Sequence, residues 1–116
     1  MMMESKAQLL RIFIGENDKI GPVSVYEKIV VSAKKNNLAG ATVYKGIMGF
    51  GANSTIHTSK VLRLSEDLPL VIEIVDTEEK IKKFLPLLDI IFEESNCGGL
   101  VTLEQATIIK HFSSKK

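Results

Sequence analysis

The sequence predicts an α+β fold in which two helices cover one face of an antiparallel sheet. Apolar residues alternate with a period of two in several segments and recur at helical spacing in two others, and the two patterns succeed each other along the chain. The chain has 116 residues, the size of one ordinary domain. We therefore expect a single domain over residues 1–116.

Composition excludes several classes of protein. Hydrophobic residues make up 45% of the chain and charged residues 25%, as in a compact globular protein. The net charge of +1 gives no field that would attract nucleic acid. The single cysteine, Cys97, cannot form a disulfide within the chain, and no export signal or membrane-length apolar run is present, so we expect a cytoplasmic protein.

The first half of the chain alternates strand and helix. Residues 8–14 alternate as a strand with one strongly apolar face. Pro22 is suited to the entry of the following helix, and Asn36 and Asn37 are suited to its end because asparagine tolerates the left-handed conformation. Residues 41–45 then predict a second strand. Polar and small residues from 52 to 60, and an apolar run at 61–64 that ends at Ser65, predict a long protruding loop or extended hairpin.

The second half repeats the pattern. Residues 70–75 are nearly all apolar and predict a third strand, buried on both faces or against another subunit. Asp76 and Glu79 have capping-box spacing at the start of a second helix, which we expect Pro86 to bend. One or two closing strands follow, over residues 100–103 and 106–112. The order is that of a ferredoxin-like βαββαβ fold, whose uncovered sheet face would carry Leu9, Phe13 and Tyr44 and favour self-association.

Two glycine turns are candidate binding elements. Gly46, Gly49 and Gly51 could bring backbone N–H groups close to a phosphate, but neither the dinucleotide fingerprint nor the Walker lysine is present. From the glycines alone, a flexible hinge at the base of the loop is the favoured interpretation. Gly98 and Gly99 follow a helix, where glycine is common as a terminator.

No pattern indicates catalysis or a metal site within one chain. His57 stands alone in a polar loop, where a histidine is most often solvated. Cys97 and the serines have no nucleophile signature around them, and the Glu66–Asp67 pair before Pro69 is more typical of a turn than of an acid and base. We expect a protein that is not an enzyme and has no resident cofactor.

Several blocks in order nevertheless resemble a known family. They are residues 10–16, 38–43, 46–51, Ser54 with His57, 67–69 and 99–102. Over nearly the whole chain they are similar to domain-of-unknown-function family 190, an uncharacterised family of PII-like proteins related to the nitrogen regulatory PII signal-transduction proteins. The resemblance implies a homotrimer that binds a small ligand, such as an adenine nucleotide, between its subunits. It also implies that a loop between the second and third strands changes conformation when the ligand binds. This loop contacts the regulated partner, a membrane transporter or another protein. Carried over by position, the ligand-binding residues are Gly46, Gly49, Phe50, Gly51, Ser54, His57, Gly98, Gly99 and Lys110.

Departures from the PII pattern limit this expectation. Where PII proteins have a lysine and two arginines that bind phosphate, this chain has Leu100, Ile108 and Lys110. Each charged phosphate contact contributes about 1.5–3 kcal/mol, so the loss of two argues against tight ATP binding and leaves AMP or another metabolite open. Residues 52–60 also lack the tyrosine that PII proteins have modified. A CutA-like metal-binding trimer and an enzyme on the same fold are the alternatives.

Overall fold

The computed structural model describes residues 2–51, 57–58 and 67–114, with residues 2–5 and 57–58 described by their backbone alone. Its helices are α1 (Val25–Lys35) and α2 (Glu78–Ser95). The strands in chain order are β1 (Met2–Gly15), β2 (Lys19–Ile20), β3 (Val23–Ser24), β4 (Thr42–Lys45), β5 (Met48–Gly49), β6 (His57–Thr58), β7 (Pro69–Thr77) and β8 (Leu100–His111).

Four strands form an antiparallel sheet in the order β4-β7-β1-β8. The short strands pair separately, β2 with β3 and β5 with β6. With α1 between β1 and β4 and α2 between β7 and β8, the main elements follow the ferredoxin-like order. The predicted fold class is confirmed. The closing segment is one continuous strand rather than two.

The core lies between the sheet and the two helices. Alternate residues of the central strands face the helices and are buried, because a strand directs successive side chains to opposite faces. The buried sheet residues include Leu10, Ile12 and Ile14 of β1 and Leu70, Ile72 and Ile74 of β7. The helices bury Val25, Ile29 and Ala33 of α1 and Ile81, Phe84, Leu88 and Ile91 of α2. Strand β7 is thus buried on one face only, contrary to the alternative of burial on both faces within the subunit.

The start of α2 differs from the predicted capping box. The cap is Thr77, whose hydroxyl accepts a hydrogen bond from the N–H of Lys80 at 3.4 Å. Asp76 is buried, and its carboxylate accepts hydrogen bonds from the N–H groups of Ala39 at 2.8 Å and Thr77 at 2.7 Å. The prediction that Asp76 caps α2 is wrong, because its side chain points into the interior and holds the segment before β4.

The ends of the helices agree with the sequence pattern. Asn37 has a φ of 61° just beyond α1, and Asn96 has a φ of 54° at the end of α2. Pro86 lies inside α2, which continues through it to Ser95. Across the described residues, no helix is long and apolar enough to cross a membrane.

The face of the sheet opposite the helices carries apolar side chains around an ion-pair network. The strand registers place Leu9, Phe13, Tyr44 and Val75 on this face, as predicted for the first three. Arg11 lies among them on β1. Its Nε is 2.8 Å from Oε2 of Glu73 on β7, and its guanidinium also binds Glu104 on β8. We call this surface the open face.

Candidate functional site

A cavity of about 480 Å³ lies where β1 ends and where β7 and β8 begin. Its walls come from four separate segments of the chain, including both ends of the excursion between β4 and β7. The lining residues are Phe13, Ile14, Gly15, Asp18, Gly49, Phe50, Gly51, Asp67, Pro69, Gly98, Gly99 and Leu100. The topology therefore brings together the two glycine turns that the sequence singles out.

Two backbone hydrogen bonds and one ion pair connect the segments that form the walls of the cavity. The N–H of Gly46 donates to the carbonyl of Pro69 at 2.7 Å, which joins the beginning of the excursion to its end. The N–H of Glu16 donates to the carbonyl of Leu68 at 2.8 Å, and the Glu16 carboxylate lies 2.6 Å from Nζ of Lys45. These contacts tie the turn after β1 to both stems of the excursion.

Three of the predicted glycines have a steric explanation in the structure. A Cβ on Gly46 would lie 2.8 Å from Cγ of Pro69, and one on Gly49 would lie 3.1 Å from the same atom. A Cβ on Gly99 would lie 2.5 Å from the ring of Phe92. Glycine at these positions therefore allows close packing, rather than serving only as a hinge or a phosphate cradle.

Gly51 differs from these three. No atom of the described residues would lie within 4 Å of a Cβ placed on it, although it lines the cavity. The part of the chain that the structure describes therefore leaves the backbone of Gly51 accessible to a ligand.

Two carboxylates line the cavity beside the turn after β1. Oδ2 of Asp18 accepts a hydrogen bond from the N–H of Gly15 at 3.0 Å, and Oδ1 of Asp67 accepts one from the N–H of Asn17 at 2.8 Å. Burial raises the pKa of Asp18, the Gly15 hydrogen bond opposes this rise, and the charge of Asp67 adds to it. Among the described lining residues, none carries a positive charge.

Apolar side chains form the rest of the wall. Phe50 is 69% exposed and Leu100 is 58% exposed, although both belong to the lining. Large apolar side chains at the mouth of a cavity are available to contact a ligand or a neighbouring subunit.

Of the remaining predicted ligand-binding residues, Gly46 and Lys110 do not line this cavity within one chain. Gly46 lies next to the cavity, against Pro69. Ser54 lies outside the described residues, and His57 is described only as part of the β6 backbone, paired with Gly49. Lys110 pairs with Met3 at the far end of β8 from Leu100. About ten residues of strand separate Lys110 from the end of β8 at the cavity. At roughly 3.4 Å for each residue, this distance is about 34 Å.

Sequence reasoning missed Asp18 and Asp67 as residues of the site. They are 49 positions apart and come together only because the turn after β1 meets the start of β7. A local signal exists, since residues 67–69 form one of the blocks that carry the family resemblance, but by sequence the Glu66–Asp67 pair is more typical of a turn. Within the described residues, no group of three or more histidine, cysteine, aspartate or glutamate side chains is placed to hold a metal ion.

Solved structures define the class of this fold. CPII from Thiomonas intermedia K12, a nitrogen regulatory PII-like protein solved with ADP, AMP and bicarbonate, superposes with a TM-score of 0.70 over 92% of each chain at 18% identity. A PII-like signaling protein from Thermus thermophilus gives a TM-score of 0.66 at 14% identity, over 93% of this chain and 94% of that one. The fold is that of the PII-like proteins.

The family follows from sequence comparison. Residues 7–108 match the model of the DUF190 family, described as "Uncharacterized ACR". UPF0166 proteins of Aquifex aeolicus and Methanocaldococcus jannaschii are 38% and 37% identical to this chain, in each case over 90% of this chain and 94% of the relative. The chain belongs to the DUF190 family, which confirms the resemblance.

Proposed function

We propose that this protein is a PII-like regulatory protein of the cytoplasm that binds a small ligand, an adenine nucleotide, between the subunits of a homotrimer. Ligand occupancy is transmitted through the loop between β4 and β7 to a protein partner. The protein changes the state of that partner by binding and catalyses no reaction.

The cavity at the two glycine turns is the observation that carries this proposal. It has the volume of a small-molecule site, apolar walls and a few polar groups. It also lies at both stems of the loop, so that a ligand in it would contact the segments from which the loop departs. Support for the ligand class comes from CPII, a protein of the same fold solved with ADP and AMP.

If Lys110 belongs to the site, as the family resemblance implies, the site must be shared between subunits. This lysine is too far from the cavity of its own chain to contact a ligand there. A neighbouring copy is the source from which it can reach the site. The apolar open face, which the helices leave uncovered, supplies a surface for such an assembly.

Calorimetric titration with AMP, ADP and ATP tests the proposal. We expect saturable heat with at least one of these nucleotides, at one site per chain. The absence of heat with all three at millimolar concentration would contradict the nucleotide assignment.

Two variants of the loop base locate the binding site. Phe50→Ala removes an exposed ring that lines the cavity, and we expect weaker nucleotide binding. Ile47→Ala is the matched control, because Ile47 is 74% exposed in the same segment and does not line the cavity. Equal affinities of the two variants would place the ligand elsewhere.

A further inference from the structure

The described walls of the cavity are apolar and carry two carboxylates, and this chemistry limits which part of a ligand can enter. This inference rests on the proposed function. Phe13, Phe50, Pro69 and Leu100 supply apolar surface, and both charged residues of the described lining are carboxylates. A phosphate placed here would meet negative charge without a lysine or arginine from the described lining.

The two carboxylates retain hydrogen-bonding capacity. Each has two oxygens, and an ionised carboxylate can accept about four hydrogen bonds. Asp67 receives the Asn17 N–H on Oδ1, and Asp18 receives the Gly15 N–H on Oδ2. These backbone bonds orient the carboxylates, and the Cys97 side chain also hydrogen-bonds Asp18. Counted over the described residues, acceptor positions remain on both carboxylates.

The carboxylates are also fixed in place rather than freely mobile. A Cβ on Gly15 would lie 2.8 Å from both Oδ1 and Oδ2 of Asp67, so this carboxylate is packed on the backbone of the turn after β1. Asp18 belongs to the same turn and is partly buried. A rigid acceptor selects ligands better than a mobile one, because less conformational entropy is lost on binding.

We propose that the cavity takes the uncharged ring end of the ligand, a planar ring or sugar whose N–H or O–H groups donate to Asp67 and Asp18. The apolar face of the ring lies against Phe50 and Leu100. Any phosphate on the ligand points out of the cavity, towards a neighbouring subunit. Asp67 and Asp18 are therefore the residues that determine ligand specificity.

The substitution Asp67→Asn tests the inference through the direction in which the ligand affinities change. The asparagine carbonyl can still accept from Asn17, so the turn is kept, but the second acceptor becomes an N–H donor and the charge is lost. We expect the dissociation constants of adenosine and AMP to rise by the same factor, about tenfold, because the lost bond is to the ring or sugar that both share. Asp18→Asn is the second variant, with the same expectation.

The control is Asp89→Asn, an equal change of charge at an exposed position of α2 outside the cavity. It should leave both affinities unchanged. Tighter AMP binding by Asp67→Asn, with adenosine unaffected, would overturn the inference, because the phosphate would then lie beside the carboxylate. Nucleotide binding that requires Mg²⁺ in the wild type and loses this requirement in Asp67→Asn would also overturn it.

The outcomes separate the inference from the proposed function. If adenosine, AMP, ADP and ATP all fail to bind the wild-type protein, the proposed function fails and the inference fails with it. If the wild type binds adenosine and AMP, and both aspartate variants bind them with unchanged affinity, the inference alone is overturned.

Discussion

The glycines of the two turns are explained by the side chains packed against them. Gly46 and Gly49 lie against Pro69, and Gly99 lies against Phe92 and the carbonyl of Phe13. Gly51 alone among these four has no atom of the described residues beside it. A glycine cluster that resembles a phosphate-binding loop in sequence thus contains mostly packing positions and one position that the described residues leave open.

Gly99→Ala should destabilise the fold, whereas Gly51→Ala should not. The new methyl group at residue 99 would lie 2.5 Å from Cε1 of Phe92 and 3.1 Å from the carbonyl oxygen of Phe13, and the ring cannot move away from both without disturbing the packing. We expect a loss of about 1–3 kcal/mol in the free energy of unfolding for Gly99→Ala. Urea unfolding at one fixed protein concentration measures both variants. Equal stability of the two would contradict the steric explanation.

The connection between β7 and α2 is held by a buried carboxylate. Among the described residues, Asp76 is the only charged residue that is buried. Each of its two carboxylate oxygens accepts a hydrogen bond from a backbone N–H. Oδ1 accepts the N–H of Thr77, and Oδ2 accepts the N–H of Ala39 in the segment that leads from α1 to β4. The side chain therefore links both βα halves of the fold.

Asp76→Asn should be strongly destabilising although it changes few atoms. Asparagine offers a single carbonyl oxygen, so one of the two N–H groups would face the side-chain NH₂ and lose its acceptor. A buried unsatisfied group costs about 1–3 kcal/mol, and we expect the free energy of unfolding to fall by that amount. Thermal or urea unfolding gives the measurement, with the exposed Asp89→Asn as control. A variant as stable as the control would mean that the two N–H groups find other partners.

The periodicity of apolar residues was sufficient to predict the order of helices and strands. It could not assign Asp76, because capping-box spacing is the same whether the carboxylate caps a helix or enters the core. Nor could it find the cavity, since Asp18 and Asp67 belong to different segments. These two residues come close together because of the strand order, which no local sequence pattern predicts. The predicted loop over residues 52–60 and the apolar run at 61–64 lie, apart from residues 57–58, outside the described residues.

The open face is the surface that the proposed trimer would bury. Apolar side chains surround the ion pairs of Arg11, and Val75 on this face is 40% exposed. Arg11 is satisfied by two carboxylates of its own chain, so an assembly could bury it without leaving its charge unpaired. The face is thus suited to contact other copies of the chain.

Val75→Lys should dissociate the proposed trimer. A lysine here would bring an unpaired charge into the interface, and burial of such a charge costs several kcal/mol. Val31→Lys is the matched control, because Val31 is 50% exposed on α1, on the opposite side of the sheet. Sedimentation equilibrium should show trimers for the wild type and the control and smaller species for Val75→Lys. A trimeric Val75→Lys protein would show that the open face is not the interface.

The pairing of β1 with β8 has a consequence for the way in which the chain folds. β1 lies at the centre of the sheet, yet one of its two neighbours is the last strand of the chain, so that Met2 pairs with His111. Contacts between residues this far apart in sequence slow folding, because the intervening chain must be ordered before they form. During synthesis, one edge of β1 stays unpaired until β8 has left the ribosome. An unpaired central strand is prone to pair with other chains, so the chain is exposed to aggregation during this interval.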